Sequence, residues 1–116
     1  MKKVLAVLTV MLLCTVALCA CTPKADNLKK KFEDHGYKTV TMDQNLAKSF
    51  GVETEKVDYM FLATKITKNA YVIAFKNGSD ATELYNSQKE KSSDNWKVVK
   101  KGNAVIFGDA ESVDLI

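Results

Sequence analysis

VDYMFLATKITKNAYVIAFK, residues 57–76, decides the fold. β-Branched and aromatic residues fill two runs, 57–66 and 70–76, separated by Thr67-Lys68-Asn69. Two such runs joined by three residues read as an antiparallel hairpin. Side chains alternate across a strand. Val57, Tyr59 and Phe61 therefore fall on one face, and Met60, Leu62 and Ile66 on the other. In the second run Val72 and Ala74 oppose Tyr71, Ile73 and Phe75. Both faces are apolar, so the hairpin needs cover on both sides, from helices of the same chain or from a partner. Tyr59, Phe61, Tyr71, Ile73, Phe75 and Trp96 are the residues expected at a partner or ligand face.

Working outward, Asn77-Gly78 breaks the second run, and Asp80 with Glu83 reads as a capping box. Ala81, Leu84, Tyr85 and Gln88 follow at helical spacing, and that helix is expected to reach residue 91. Residues 96–100 and 103–107 form a second hairpin around Lys101-Gly102, where glycine permits a positive φ. Asp109 then opens a last short helix carrying Ala110, Val113 and Ile116 on one side. Upstream, Leu28 and Phe32 lie one turn apart in a helix over 25–35, with Gly36 as its cap and Tyr37 folding back onto Phe32. Residues 37–42 read as a strand, and 52–56 as a loop. Between them Asp43 caps a short helix bearing Leu46, Ala47 and Phe50, ended by Gly51. The implied fold is α+β: one small domain with a mostly antiparallel sheet of four to five strands and helices packed on it. The order hairpin–helix, hairpin–helix reads either as an internal duplication or as two segments obeying the same strand-to-helix rules.

The first 21 residues carry a different signal. Lys2 and Lys3 precede an uncharged run from Val4 to Ala20, which ends in Leu18-Cys19-Ala20-Cys21. Basic start, apolar middle, small residue and cysteine resemble the export signal of a bacterial lipoprotein. The resemblance implies cleavage between Ala20 and Cys21, a diacylglycerol on the Cys21 thiol, and an N-acyl chain on its new amino group. It divides the chain into a signal peptide (1–20), a lipidated cysteine and tether (21–25), and a domain (26–116). An uncleaved N-terminal membrane helix is the competing reading of the same run, and it also puts the domain outside the cytoplasmic membrane. Two or more chains give the stable attachment that a single one does not. The expected location is the cell membrane or, in a Gram-negative source, the outer membrane, which Thr22 after Cys21 resembles.

Cleavage before Cys21 leaves 96 of the 116 residues. Without Lys2 and Lys3, 15 lysines face 14 carboxylates, a net charge of +1, so nucleic acid is not an expected partner. Arginine is absent, which removes the bidentate fork suited to phosphate. All three cysteines, Cys14, Cys19 and Cys21, lie in or at the signal, so the exported domain has no thiol, disulfide or thiolate metal site. His35 is the lone histidine, which is no zinc signature. Asp109, Glu111 and Asp114 lack the spacing of a calcium loop and read as helix capping and a solvated face. Ser92-Ser93 has no base beside it in sequence. No metal and no cofactor beyond the lipid is expected. Lys24, Lys29, Lys30 and Lys31 begin just after the anchor, and read as a membrane-surface contact or simply as a solvated helix face. The expectation is a non-enzymatic, lipid-anchored interaction module that binds an envelope protein or a second copy. The alternative is a small-ligand-binding lipoprotein with a pocket lined by Tyr59, Tyr71, Tyr85 or Trp96.

Overall fold

The computed structural model describes residues 22–116. The expected signal peptide, the Ala20-Cys21 cleavage pair and the three cysteines lie outside these residues. Helix α1 (Ala25–Glu33) leads to strand β1 (Lys38–Thr41), two short 3-10 helices (Gln44–Phe50 and Thr54–Lys56), and the hairpin β2 (Val57–Lys65) and β3 (Lys68–Phe75). Helix α2 (Gly78–Glu90), hairpin β4 (Trp96–Lys101) and β5 (Ala104–Asp109), and the single turn α3 (Ala110–Val113) complete the domain. The five strands form one antiparallel sheet in the order β1-β2-β3-β5-β4. The α+β class and its two hairpin–helix units are therefore present.

Both apolar sheet faces are covered from within the chain. On the first face Leu28 and Phe32 of α1, Tyr37, and Val113 of α3 pack on Phe61, Ala63, Val72 and Ile106. On the second, Ala47 and Phe50 of the 3-10 segment, with Ala81 and Leu84 of α2, pack on Met60, Ile73, Phe75, Val105 and Phe107. The two units thus place their helices on opposite sides. A twofold axis normal to the sheet, the rotation that exchanges antiparallel neighbours, would keep both helices on one side.

Local rules explain most boundaries. Gly36 turns at φ 84°, the Tyr37 N–H donates to the Phe32 carbonyl (3.0 Å), and the two rings meet tilted with centroids 5.5 Å apart, so Tyr37 folds back onto Phe32 as the sequence suggests. Asp43 accepts from the Asn45 N–H (2.9 Å) and Gly51 ends that segment at φ 77°. The cap of α2 is Asn77 rather than Asp80: its side chain accepts from the Asp80 N–H at 3.1 Å. Asp80, freed from capping, faces Lys56.

Two details depart from simple alternation. A bulge between Val57 and Tyr59 inserts Asp58, so Val57 joins the second face while Tyr59 and Phe61 stay on the first. The hairpin loop is Ile66-Thr67, two residues rather than three, since Lys65 pairs with Lys68. Ile66, expected at the end of a strand, instead occupies the tip at φ 57° and is 93% exposed. A β-branched residue is disfavoured there, because Cβ crowds the following carbonyl. The second hairpin turns through Gly102-Asn103, one residue beyond the expected pair, with Gly102 at φ 58°.

The pairing of β3 with β5 joins the two hairpins, and Gly108 controls it. Gly108 lies opposite Ala70 at φ 151°, so close that an added Cβ would overlap the Asn69 carbonyl oxygen and Ala70 Cα. Immediately beyond it, the Asp109 carboxylate accepts from the Asn69 N–H at 2.5 Å. Gly108→Ala is expected to destabilise the domain by about 2–4 kcal/mol, combining backbone strain with overpacking. Ile66→Gly is expected to stabilise it by about 0.5–1 kcal/mol, since relief of the left-handed conformation exceeds the added chain entropy. Urea denaturation of the two variants beside the parent checks both signs.

Candidate functional site

The segment expected to be a short tether is built into the domain. Thr22 Oγ1 accepts from the Asn103 N–H at 3.0 Å. Thr22 also presses on Gly102, where an added Cβ would overlap its side chain and Cα. One residue on, the Tyr59 hydroxyl donates to the Pro23 carbonyl at 2.7 Å. The Lys24 carbonyl then accepts from the Leu28 N–H (3.2 Å) as α1 begins. The chain is therefore held from Thr22 onward, at the sheet end formed by the β4–β5 turn, the start of β2 and the end of β3. The residue that precedes Thr22 is Cys21.

Tyr59 is the side chain that joins core to tether. Its ring stacks on Phe61 at 6.2 Å, while its hydroxyl reaches Pro23. Burial, together with the nearby Asp58 carboxylate, pushes its pKa up to about 12. Nothing in the sequence pairs Tyr59 with Pro23, because 36 residues separate them. The Thr22–Asn103 bond spans 81 residues and is equally invisible to local patterning.

The residues expected at a partner face are split and largely enclosed. Phe61, Ile73 and Phe75 are buried core residues, so the folded domain does not present them. Tyr59 and Phe61 belong to the first face, whereas Tyr71, Ile73, Phe75 and Trp96 belong to the second. Tyr71 is covered by Phe50 at 5.3 Å, and the Trp96 indole N–H donates to Gln88 at 3.4 Å. Tyr59 is thus across the sheet from Tyr71, Tyr85 and Trp96, and the four line no common pocket. The sequence rule failed here because alternation shows that both faces are apolar, but not which helix covers each.

The lysines of α1 also separate. Lys29 is half-buried; it donates to Thr41 Oγ1 (2.9 Å) and lies 5.5 Å from the Phe61 ring centre. Lys24, Lys30 and Lys31 are exposed, but α1 leads away from Thr22 towards Gly36, which neighbours Lys65 at the far end of β2. His35 donates through Nδ1 to the Lys31 carbonyl at 2.8 Å. The acidic tail is a set of tertiary ties: Asp109 holds the Asn69 N–H, Glu111 pairs with Lys68, and Asp114 pairs with Lys97 at 3.1 Å.

A cleft of about 210 Å³ lies between α2 and the 3-10 segments, lined in part by Phe50, Glu53, Lys56, Phe75, Asp80 and Glu83. Lys56 sits 3.5 Å from both Asp80 and Glu53, and those carboxylates, Asp80 first, raise its pKa above the usual lysine value. Among the described residues no helix is long and apolar enough to cross a membrane, and no three His, Asp or Glu side chains group to hold a metal ion. No family model matches the chain, nor does any curated protein or solved structure.

The Tyr59–Pro23 bond sets an alkaline limit. A phenol whose folded pKa is raised contributes stability that is complete below its unfolded pKa of about 10 and is lost as pH rises towards about 12. The phenolate can no longer donate and faces a carbonyl oxygen. Raising the pH through this window is expected to cost roughly 1–2 kcal/mol from Tyr59, after allowing for solvent screening of a half-buried ring. In Tyr59→Phe that component of the pH dependence should vanish. Denaturation of both proteins at pH 9 and pH 11.5, with the phenolate absorbance recorded, checks it.

Proposed function

We propose that this chain is a lipid-anchored cell-envelope protein whose folded domain works by binding another protein, without chemistry of its own. The observation that carries the reading is the fixed seat of Thr22 and Pro23 on the sheet end. Residues that follow a cleavage site in a freely tethered domain need no such bonds. Here Thr22, the residue next to Cys21, is bonded to the domain, so an acyl group on Cys21 would emerge from a defined spot on it. Lipidation there, as a diacylglycerol thioether and an N-acyl chain, supplies enough apolar surface for stable attachment.

The chemistry left to the domain also favours binding over catalysis. Several of its carboxylates and lysines are engaged in ties between elements, such as Lys97 with Asp114 and Lys68 with Glu111. The exported part offers no thiol, no arginine and one histidine. The partner in this reading is another protein of the envelope or a second copy of the chain, and nucleic acid is not among the partners.

The test is Cys21→Ala expressed beside the parent in a bacterial host. The parent is expected to incorporate radiolabelled palmitate and to remain with membranes after alkaline carbonate extraction. The variant should lose the label and more than about tenfold of its membrane association, in line with the loss of two or more acyl chains. A parent protein without acyl mass, or a variant equally bound to membranes, sinks the anchoring reading.

A further inference from the structure

We propose that the anchored domain stands end-on upon its own bilayer, with the β4–β5 turn at headgroup level and Lys24, Lys76, Lys100 and Lys101 against anionic lipid phosphates. This rests on the anchoring reading above. Consecutive Cα atoms are about 3.8 Å apart. Cys21 Cα is thus one residue from Thr22, which itself abuts Gly102 and accepts from the Asn103 N–H. Acyl chains on Cys21 therefore draw the Gly102-Asn103 turn to the membrane surface, whatever the rest of the domain does.

Four lysines from three separate segments meet at that end. Lys100 and Lys101 close β4 just before the turn. Lys76 follows Phe75, whose N–H donates to the Asn103 carbonyl at 2.9 Å. Lys24 follows Pro23, the residue held by Tyr59. All four are exposed, and among the described residues none belongs to an ion pair. Asp26, Glu55 and Asp58 share this end, and Lys56 offsets one of the two charges of Glu53 and Asp80. Free ammonium groups next to the lipid attachment point suit an anionic headgroup layer, to which each lysine near the surface adds attraction.

The same geometry fixes what faces away. Along β2 (Val57–Lys65), the seven residue steps from Tyr59 near the tether to the Ile66 turn at the far end span roughly 23 Å. Lys31 is seven residues along α1 from Lys24, about 10 Å further from the anchor. The lysines adjacent in sequence are thus not the set nearest the bilayer. Ile66, 93% exposed, lies in the turn at the opposite end of β2.

Full-length lipidated protein in vesicles tests this, using Asp26→Cys and Ile66→Cys, each carrying a thiol-attached fluorophore. The vesicles contain either phosphatidylglycerol with phosphatidylcholine or phosphatidylcholine alone, plus a headgroup-nitroxide lipid as quencher. In anionic vesicles, quenching at position 26 is expected to exceed that at position 66 by about fivefold. The excess should shrink with Lys24→Gln, Lys76→Gln and Lys100→Gln combined, and in about 1 M salt, where the Debye length is about 3 Å. Matching melting temperatures show that the variants are folded. Equal quenching at both positions overturns the end-on orientation. A fivefold excess that ignores the lysine substitutions, salt and lipid charge overturns the headgroup contact. Protein that fails to sediment with vesicles and lacks acyl mass refutes the anchoring itself, which distinguishes that failure from the other two.

Discussion

The pairing of β3 with β5 is the constraint on which the rest of this domain depends. Each hairpin alone is a two-stranded ribbon with apolar residues on both sides, and such a ribbon is marginal in water. Joined through β3 and β5, the hairpins make one sheet broad enough for helices to cover. Gly108 permits the approach, since its missing side chain leaves room for the Asn69 carbonyl. The Asp109 carboxylate then secures the Asn69 N–H, and Glu111 reaches Lys68 on the same strand. Interior β3 is consequently sealed on both faces: Val72 is fully buried on one side and Ile73 on the other.

That central pairing also creates the seat for the N-terminal segment. Because β5 runs beside β3, its first residues meet the end of β3, where Phe75 bonds to Asn103. The Gly102-Asn103 turn is then presented beside Tyr59, and Thr22 and Pro23 bridge the two. A segment docked on a rigid sheet end has its direction fixed relative to the whole domain, whereas a flexible linker fixes only proximity. The buried Tyr37–Ser112 bond (2.8 Å) ties α1's exit to the C-terminal turn.

The α+β class, the two hairpins, the helix around Leu84 and the Gly36 and Gly51 caps were legible in the sequence. Each follows from contacts within a few residues: alternation, helical spacing, and the positive φ that glycine tolerates. The misread details share a cause. The Asp58 bulge moves Val57 to the other face, and strict alternation contains no sign of an inserted residue. Ile66 at positive φ defeats the turn rules, which place glycine or asparagine there. Asn77 caps α2 three residues ahead of the Asp80–Glu83 pair, because two overlapping signals competed and Asp80 instead contacts Lys56. The supposed partner face failed because hydrophobicity marks core and interface residues alike.

By itself, then, the sequence determined the residue periodicities, the lipoprotein-like ending at Cys21, and the lack of any thiol, arginine or second histidine after it. These are properties of composition and short spacing, so no folding is needed to see them. Only the tertiary structure decided which lysines gather near Thr22, which aromatic residues are enclosed, and that Thr22 and Pro23 are docked on the sheet end. Those outcomes depend on contacts between residues 36 to 81 positions apart, and such contacts exist only once the strand register is set.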